Sequence, residues 1–389
     1  MKAMVIGKDK IRPVTYGLAL YFLLMATDCF PLGTMGAFLK IVALIPLGLS
    51  LLDFRYMRIH LDWLLVFQVL FVLMATISLF YSVSQSRTVS AVTTLTLNFA
   101  LVFVLGAMQT YSKAEEELLH RALLYGSWLT ILLMLIFTDI SADGRLTLRL
   151  GEGTQDQNYV NGYIMFAFSY HCKLTFSDRK WKHLVAVLFV LAVVLLTGSR
   201  GAFIAYIAVL LLYLVRMVVC TDNFVRNFLL LVIIVPVALI IIEILLNQMP
   251  TNIAERYSWD YIMQTGTIGR MKIWRYLWSH FCGDNMLRML FGHGYGTTPE
   301  INQLNGLVAH NLYLDNLITL GIVGLILQVL SQAYVLRELI RRKATVVLGT
   351  YVGLLVMCIS LSLVAYKPIW NIVLITFVLR YNKDPQIKR

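Results

Sequence analysis

Long apolar runs alternate with short polar connections along almost the whole chain. A helix needs about 20 such residues to cross a hydrocarbon layer of about 30 Å, and most of these runs approach that length. The pattern predicts about twelve membrane-spanning helices, at 14–30, 34–52, 62–80, 91–108, 120–138, 158–174, 184–197, 201–219, 228–247, 307–333, 346–364 and 368–380. We therefore expect an all-α integral membrane protein with one polytopic domain over residues 1–389.

Composition excludes a water-soluble globular protein, since 59% of the residues are hydrophobic, 14% are charged and the mean hydropathy is +0.74. With the N-terminus inside, the inward segments hold twenty-two lysines and arginines and the outward segments ten. This bias predicts cytoplasmic termini, and it predicts that the polar segments around 157, 197–205 and 248–310 face outward. It also accounts for most of the net charge of +12, so nucleic acid is not an expected partner.

One of these segments is TGSRGAFIA, residues 197–205, which joins two apolar runs with almost no length. Arg200 stands between glycines at the start of the eighth predicted span. It is a candidate anion-binding residue, because guanidinium binds phosphate in a bidentate way and keeps its charge. Alternatively, Arg200 only anchors the span at the interface.

The longest outward segment, 248–306, forms an extracytoplasmic cap in this prediction, and an amphipathic helix over 268–281 should lie flat on the outer interface. Arg270 points among the apolar residues of this helix. A cation in that position requires an anionic partner or bends toward lipid headgroups. The predicted apolar face consists of Met271, Trp274, Leu277, Trp278 and Phe281.

Further along this segment, LFGHGYGTTPE contains three closely spaced glycines, Gly292, Gly294 and Gly296. They suit either a tight irregular turn or a ligand that lies against the backbone. His293 is accordingly a candidate for a functional role or for loop structure. No strand precedes the glycines, which excludes a dinucleotide-binding fingerprint.

Two further outward stretches carry polar residues beside apolar spans. His310, Asn311 and Asp315 open the tenth span, where His310 could accept a proton from a hydroxyl near neutral pH, or could form a helix cap with Asn311. Gln157 and Asn158, within GEGTQDQNYVNG, could bind sugar hydroxyls or cap the sixth span.

No metal site is expected from the sequence. The outward loops contain no DxD or ExD motif, and their carboxylates do not form a ligand cluster. The cysteines show no CxxC spacing, which indicates neither a disulfide framework nor a metal centre; they are Cys29, Cys172, Cys220, Cys282 and Cys358.

In this order, TGSRGAFIA, TIGRMKIW, LFGHGYG and AHNLYLDNLITLGIVG resemble the O-antigen ligase and polymerase family of bacterial envelope glycan assembly. The motifs cover about 155–330. The resemblance implies a GT-C-like membrane glycosyltransferase that needs no nucleotide sugar, metal or cofactor. It implies diphosphate binding by Arg200 and Arg270 and base catalysis by His310, and it matches Asn158 to a polar residue before a span. On their own chemistry and position, the candidates for sugar binding or support are Gln157, Asn158, His293, Asn311 and Asp315.

The implied donor is an undecaprenyl-diphosphate oligosaccharide, used at the extracytoplasmic face of the bacterial cytoplasmic (inner) membrane. A polymerase, slightly favoured because it needs no second class of acceptor, transfers the chain onto another lipid-linked repeat. A ligase transfers it to lipid A core, cell-wall glycan or protein, and a polysaccharide transporter or flippase is the second alternative. Implied partners are the lipid bilayer, the glycan or lipid acceptor, and assembly proteins such as a flippase or chain-length regulator.

Overall fold

The computed structural model describes most of the chain. It comprises residues 11–29, 38–53, 57–140, 146–150, 153–154, 157–219, 224–248, 251–258, 268–304, 306–362 and 365–380.

Each of the twelve predicted spans contains a helix. Shorter helices occupy part of the long segment between the ninth and tenth of them. In chain order the helices are α1 Pro13–Leu23, α2 Phe38–Leu52, α3 Trp63–Ile77, α4 Gln85–Leu101, α5 Lys113–Ile136, α6 Gln157–Cys172, α7 Leu184–Leu196, α8 Arg200–Val219, α9 Phe224–Gln248, α10 Thr251–Tyr257, α11 Ile268–Gly283, α12 Met286–Phe291, α13 Thr298–Ile301, α14 Leu312–Arg341, α15 Thr345–Ser360 and α16 Lys367–Arg380.

Within the described residues, five helical segments are long and apolar enough to cross a membrane, and three shorter helices are apolar. The five are Trp63–Phe80, Gln85–Ala107, Lys113–Ile136, Arg200–Val219 and Leu312–Arg341. These helices, with the composition of the chain, are those of an integral membrane protein. That all twelve long helices cross the bilayer remains a prediction.

The helical fold agrees with the predicted all-α class, to which the structure adds one small antiparallel sheet that the sequence did not predict. Strands β1 (Thr138–Ile140), β2 (Leu146–Leu150) and β3 (Gly153–Thr154) pair in sequence order, with Thr138 opposite Leu148 and Arg149 opposite Thr154. The sequence LTLRL of β2 alternates apolar and polar residues, as strands do. Its length is far below that of a membrane span, so it does not stand out as a long apolar run in the sequence.

The long helices run alternately between two ends of the bundle. We call the end at which α6, α8 and α14 begin the site end. At the opposite end, Arg12 reaches the Glu115 carboxylate through Nε (2.8 Å to Oε1) and Nη2 (3.2 Å to Oε2). Glu115 also forms a capping box with Ser112, the N-cap of α5. One carboxylate thus begins α5 and ties it to the start of α1.

Helix α14 breaks at Gly321, whose φ of 67° and ψ of −167° are not helical. The break deprives carbonyls one turn earlier of their helical donors. The backbone N–H of His293 instead donates to Ile318 O (3.1 Å), and that of Gly294 donates to Thr319 O (2.9 Å). The segment after α12 therefore satisfies the carbonyls that the break exposes, as a buried helix interruption requires.

Glycine is required on both sides of this contact. A Cβ on Gly292 would lie within 3 Å of the Thr319 backbone, and one on Gly321 within 3 Å of the Leu290 backbone. Both residues also have positive φ, at 76° and 67°. The main chains of 290–292 and 319–321 therefore touch with no side chain between them.

We expect Gly321→Ala to destabilise the protein by about 2 kcal/mol or more, because it combines backbone strain with a backbone clash. Gly48→Ala in α2 is the matched control, since a Cβ there meets nothing within 4 Å. Thermal unfolding in detergent should show a lower midpoint for the first variant and an unchanged or higher midpoint for the second. Equal midpoints would contradict the close backbone contact.

Candidate active site

The turn before α8 sets the position of Arg200. Gly198 has a φ of 62°, and the next residue, Ser199, accepts a hydrogen bond from the Ala202 N–H (3.4 Å) at the start of the helix. Half-buried Arg200 is the first residue of α8. Its guanidinium therefore belongs to the end of a long helix that carries the positive pole of the helix dipole, where an anion is stabilised.

The two glycines around Arg200 have structural tasks. Gly198 adopts a left-handed conformation, and a Cβ on Gly201 would collide with the side chain of Ser360 at the end of α15. Gly201 thus lets α8 begin directly against α15. The motif is glycine-rich because of turn geometry and helix packing, independently of any ligand that approaches the backbone.

The beginning of α6 supports the same turn. Ser199 Oγ donates to Asn158 Oδ1 (2.6 Å), and Asn161 Nδ2 donates to Thr197 Oγ1 (3.1 Å). Asn158 is therefore in place to hold the Arg200 turn, whereas the side chain of Gln157, the first residue of α6, lies outside the described residues. Sugar binding by either residue stays a prediction.

The predicted amphipathic helix is confirmed as α11, but its predicted apolar face is partly wrong. Leu277 and Phe281 are buried as expected, whereas Met271 and Trp278 are exposed, by 39% and 55%. Ile273, which was not predicted, is buried instead. The face is displaced because α11 packs on other parts of the protein. It shares a separate small core with α13, the turn before α14 and the first part of α14. The buried members of this core are Ile273, Leu277, Phe281, Ile301, Ala309, Leu317 and Ile318.

Arg270 lies on the packed side of α11. It is half-buried and stands seven residues, about two turns, before buried Leu277, as the sequence predicted. Trp274, one turn after Arg270, donates its indole N–H to the carbonyl of Ala309 (2.8 Å). Since Ala309 precedes His310, this bond docks the helix of Arg270 on the turn that carries the predicted base.

His310 and its neighbours form the entry to α14. His310 has a φ of 51°, a left-handed conformation that is uncommon outside glycine, asparagine and aspartate. Asn311 is the N-cap, and its Oδ1 accepts from the backbone N–H groups of Tyr313 (3.0 Å) and Leu314 (3.1 Å). The cap function of Asn311 is thereby confirmed, and the cap begins the helix directly after His310.

Asp315 does not stand at an open entrance but is buried, with an exposed fraction of 4%. Its Oδ1 accepts a hydrogen bond from Thr298 of α13, and its carboxylate lies beside Ser362. The carbonyl of Ser362 in turn accepts from the hydroxyl of Tyr159 (3.3 Å), next to Asn158. Residues 360–362 therefore link the two parts of the site, the Arg200 turn and the start of α14.

The glycine loop 292–296 is packed rather than open. A Cβ on Gly294 would collide with Ser82 and one on Gly296 with Ala91, so this loop is a tight turn that fits against the start of α4. His293 is 7% exposed, and its Nε2 lies 2.8 Å from Asp284 Oδ2. Burial lowers the pKa of His293, while the Asp284 carboxylate acts in the opposite direction.

A further ionic group at the site end escaped sequence analysis. Lys367, at the start of α16, forms an ion pair with Asp28, and the hydroxyl of Tyr163 donates to the same carboxylate. Tyr366 donates to the carbonyl of Tyr159, which joins this group to the start of α6. The local sequence around Asp28 and Lys367 does not predict that these two residues, so distant in the chain, form a pair.

These features define a helical membrane protein with basic and polar residues collected at one end of its bundle. Residues 185–329 match the family model described as O-Antigen ligase, and Arg200, Arg270 and His310 all lie inside this match. The match confirms the resemblance found in the motifs and supports assignment to the O-antigen ligase and polymerase family. Asn158 lies outside the matched region. No curated protein matches the chain at a significant level.

We expect Trp274→Phe to loosen α11, because it removes the bond to Ala309 O and keeps most of the ring. The lost hydrogen bond should cost about 1 kcal/mol. Trp278→Phe is the matched control on the exposed side of the same helix. Hydrogen exchange should become faster in 268–283 for the first variant only, and equal exchange in both variants would show that Trp274 does not dock the helix.

Proposed function

We propose that the protein transfers or polymerises undecaprenyl-diphosphate-linked oligosaccharide at the extracytoplasmic face of the bacterial cytoplasmic membrane, in the synthesis of surface polysaccharide. The observation that carries the proposal is the docking of the Arg270 helix on the His310 turn, within the region that matches the O-antigen ligase family. That region also contains the Arg200 turn, joined to the same end of the bundle through residues 360–362.

The charge arrangement suits a diphosphate leaving group. Negative charge grows on the diphosphate as its bond to the sugar breaks, and fixed cations at that position stabilise the transition state more than the ground state. Arg200 combines its own charge with the positive pole of α8. Arg270 is presented from a second element, so the two guanidinium groups can hold the diphosphate from different sides.

The proposed step is a single displacement at the anomeric carbon. The acceptor hydroxyl attacks this carbon and gives its proton to His310, while the bond between the carbon and the diphosphate oxygen breaks and its electron pair leaves with the lipid diphosphate. One displacement inverts the anomeric configuration. This step uses residues of the chain only and requires neither a nucleotide sugar nor a cofactor.

Polymerase activity is our first choice, and ligase activity is the alternative. The polymerase needs only one class of lipid-linked substrate. The ligase would use the same three residues and a different acceptor, such as lipid A core, cell-wall glycan or protein. A transporter would require ionisable residues that face a pathway through the bundle. Lys40 and Glu243, which the sequence offers as candidates, are both exposed. Buried Asp315 lies at the start of α14 and accepts a hydrogen bond from Thr298.

The test is reconstitution of the purified protein with undecaprenyl-diphosphate oligosaccharide as the only sugar substrate. The unaltered protein should produce a ladder of longer glycans and release undecaprenyl diphosphate. Arg200→Ala and Arg270→Ala should each lower the rate by about 10²-fold or more. For His310 the substitution is asparagine, which tolerates the left-handed backbone and cannot act as the base, and the expected loss is again about 10²-fold or more.

Matched controls come from the same helices. Arg275→Ala removes an exposed cation of α11, and Arg216→Ala removes a half-buried cation near the opposite end of α8, so both variants should keep the full rate. A ladder that persists in the Arg200, Arg270 and His310 variants would refute the proposed site. Product that forms only after lipid A core or another acceptor is supplied would identify a ligase, and no turnover with any acceptor would favour a transporter.

A further inference from the structure

A separate polar cluster joins the end of α11 to the glycine loop. His280 and Asp284 lie one helical turn apart, and His293 approaches them from the loop. Asp284 Oδ2 lies 2.8 Å from His293 Nε2, and Asp284 Oδ1 lies 3.9 Å from His280 Nε2. None of the three takes part in the proposed glycosyl transfer.

The backbone holds His293 on both sides. Its N–H donates to Ile318 O (3.1 Å), its carbonyl accepts from the Val83 N–H (2.9 Å), and glycines with positive φ precede and follow it. The imidazole therefore has a fixed direction toward Asp284. Asp284 directly follows the last residue of α11, and its spacing of four residues from His280 places the two side chains on one side of the helix end.

A hydrogen bond between Asp284 and His293 explains only two members of the cluster. Nε2 of His280 is shielded from solvent and makes no hydrogen bond within the described part of the chain. At 3.9 Å from Asp284 Oδ1 it is beyond hydrogen-bond range. A buried ring nitrogen directed at a carboxylate without bonding to it suits a ligand atom whose ion is to be bound between them.

The geometry fits a small dication. One ligand atom from each residue can be chosen so that all three lie within 4.8 Å of one another. Ligands at about 2.0–2.2 Å from a tetrahedral Zn²⁺ stand roughly 3.3–3.6 Å apart, so small side-chain shifts suffice. His280 is 34% exposed and Asp284 13%, so the cluster lies near the protein surface, with the Nε2 atom of His280 turned inward.

We propose that His280, Asp284 and His293 bind a transition-metal dication, Zn²⁺ being the expected ion, that ties α11 to the glycine loop. Two imidazoles and one carboxylate suit Zn²⁺ and related metals, whereas Ca²⁺ and Mg²⁺ prefer oxygen ligands. The ion would stabilise the position of α11, and hence of Arg270, without taking part in the reaction. The site is independent of the proposed function, because its evidence is the ligand geometry alone.

The test uses full-length protein in detergent, purified through a tag without histidine and stripped with a chelator. Titration with Co²⁺ should give visible absorption that saturates at one ion per chain, and Zn²⁺ should displace the Co²⁺. His280→Gln and Asp284→Asn should each weaken Co²⁺ binding by about tenfold or more. Zn²⁺ should raise the thermal midpoint of the unaltered protein and leave those of the two variants unshifted.

Two controls exclude other ligands. Cys282→Ser removes an exposed thiol between the proposed ligands, and His183→Ala removes one member of a different histidine pair, whose Nδ1 atom lies 3.1 Å from that of His171. Both should bind Co²⁺ as the unaltered protein does. Absence of saturable binding would overturn the proposal, as would Co²⁺ binding in the His280 and Asp284 variants as tight as in the unaltered protein. Loss of binding in either control would assign the ion elsewhere.

Discussion

Direct contact between two stretches of main chain, 290–292 and 319–321, determines the arrangement of the site end. It exists only because glycine occupies both facing positions, Gly292 and Gly321. The break that Gly321 introduces into α14 leaves two carbonyls without helical donors, and the backbone N–H groups of His293 and Gly294 donate to them instead. A break in a membrane helix thereby becomes a binding place for a loop, and the loop in turn fixes the end of α11.

The site is assembled largely through neutral groups. Ser199 connects Asn158 to the Arg200 turn, Asn311 begins α14, and Trp274 joins α11 to Ala309. Each such bond contributes about 1 kcal/mol, so no single one holds the site. Backbone and neutral side-chain contacts thus position α8 and α11, the helices that carry Arg200 and Arg270.

Much of the helical layout could be predicted from the sequence because an apolar run is a local property. The eighth helix was expected at 201–219 and begins at Arg200, one residue earlier. The tenth was expected to end at 333 but continues to Arg341, because charged residues such as Arg337 extend a helix beyond the apolar part.

Features that depend on partners distant in the chain could not be predicted. The burial of Ile273 instead of Met271 follows from the surface on which α11 docks. The periodicity of residues 268–281 carries no information about that surface. The ion pair of Asp28 and Lys367 and the convergence of His280 with His293 have the same origin. Short motifs are enough to propose Arg200, Arg270 and His310 as site residues, whereas the bonds that position the segments carrying them are visible only in three dimensions.

The left-handed backbone of His310 has a consequence for how a growing glycan could move. Ala309 is bonded to Trp274, and Asn311 is committed as a cap, so the main chain on either side of His310 is restrained. The Cα atom of His310 therefore has little freedom to follow a substrate. In repeated rounds of the proposed reaction, the protein is therefore the stationary part, and the lipid-linked chains must advance through it by one repeat after each transfer.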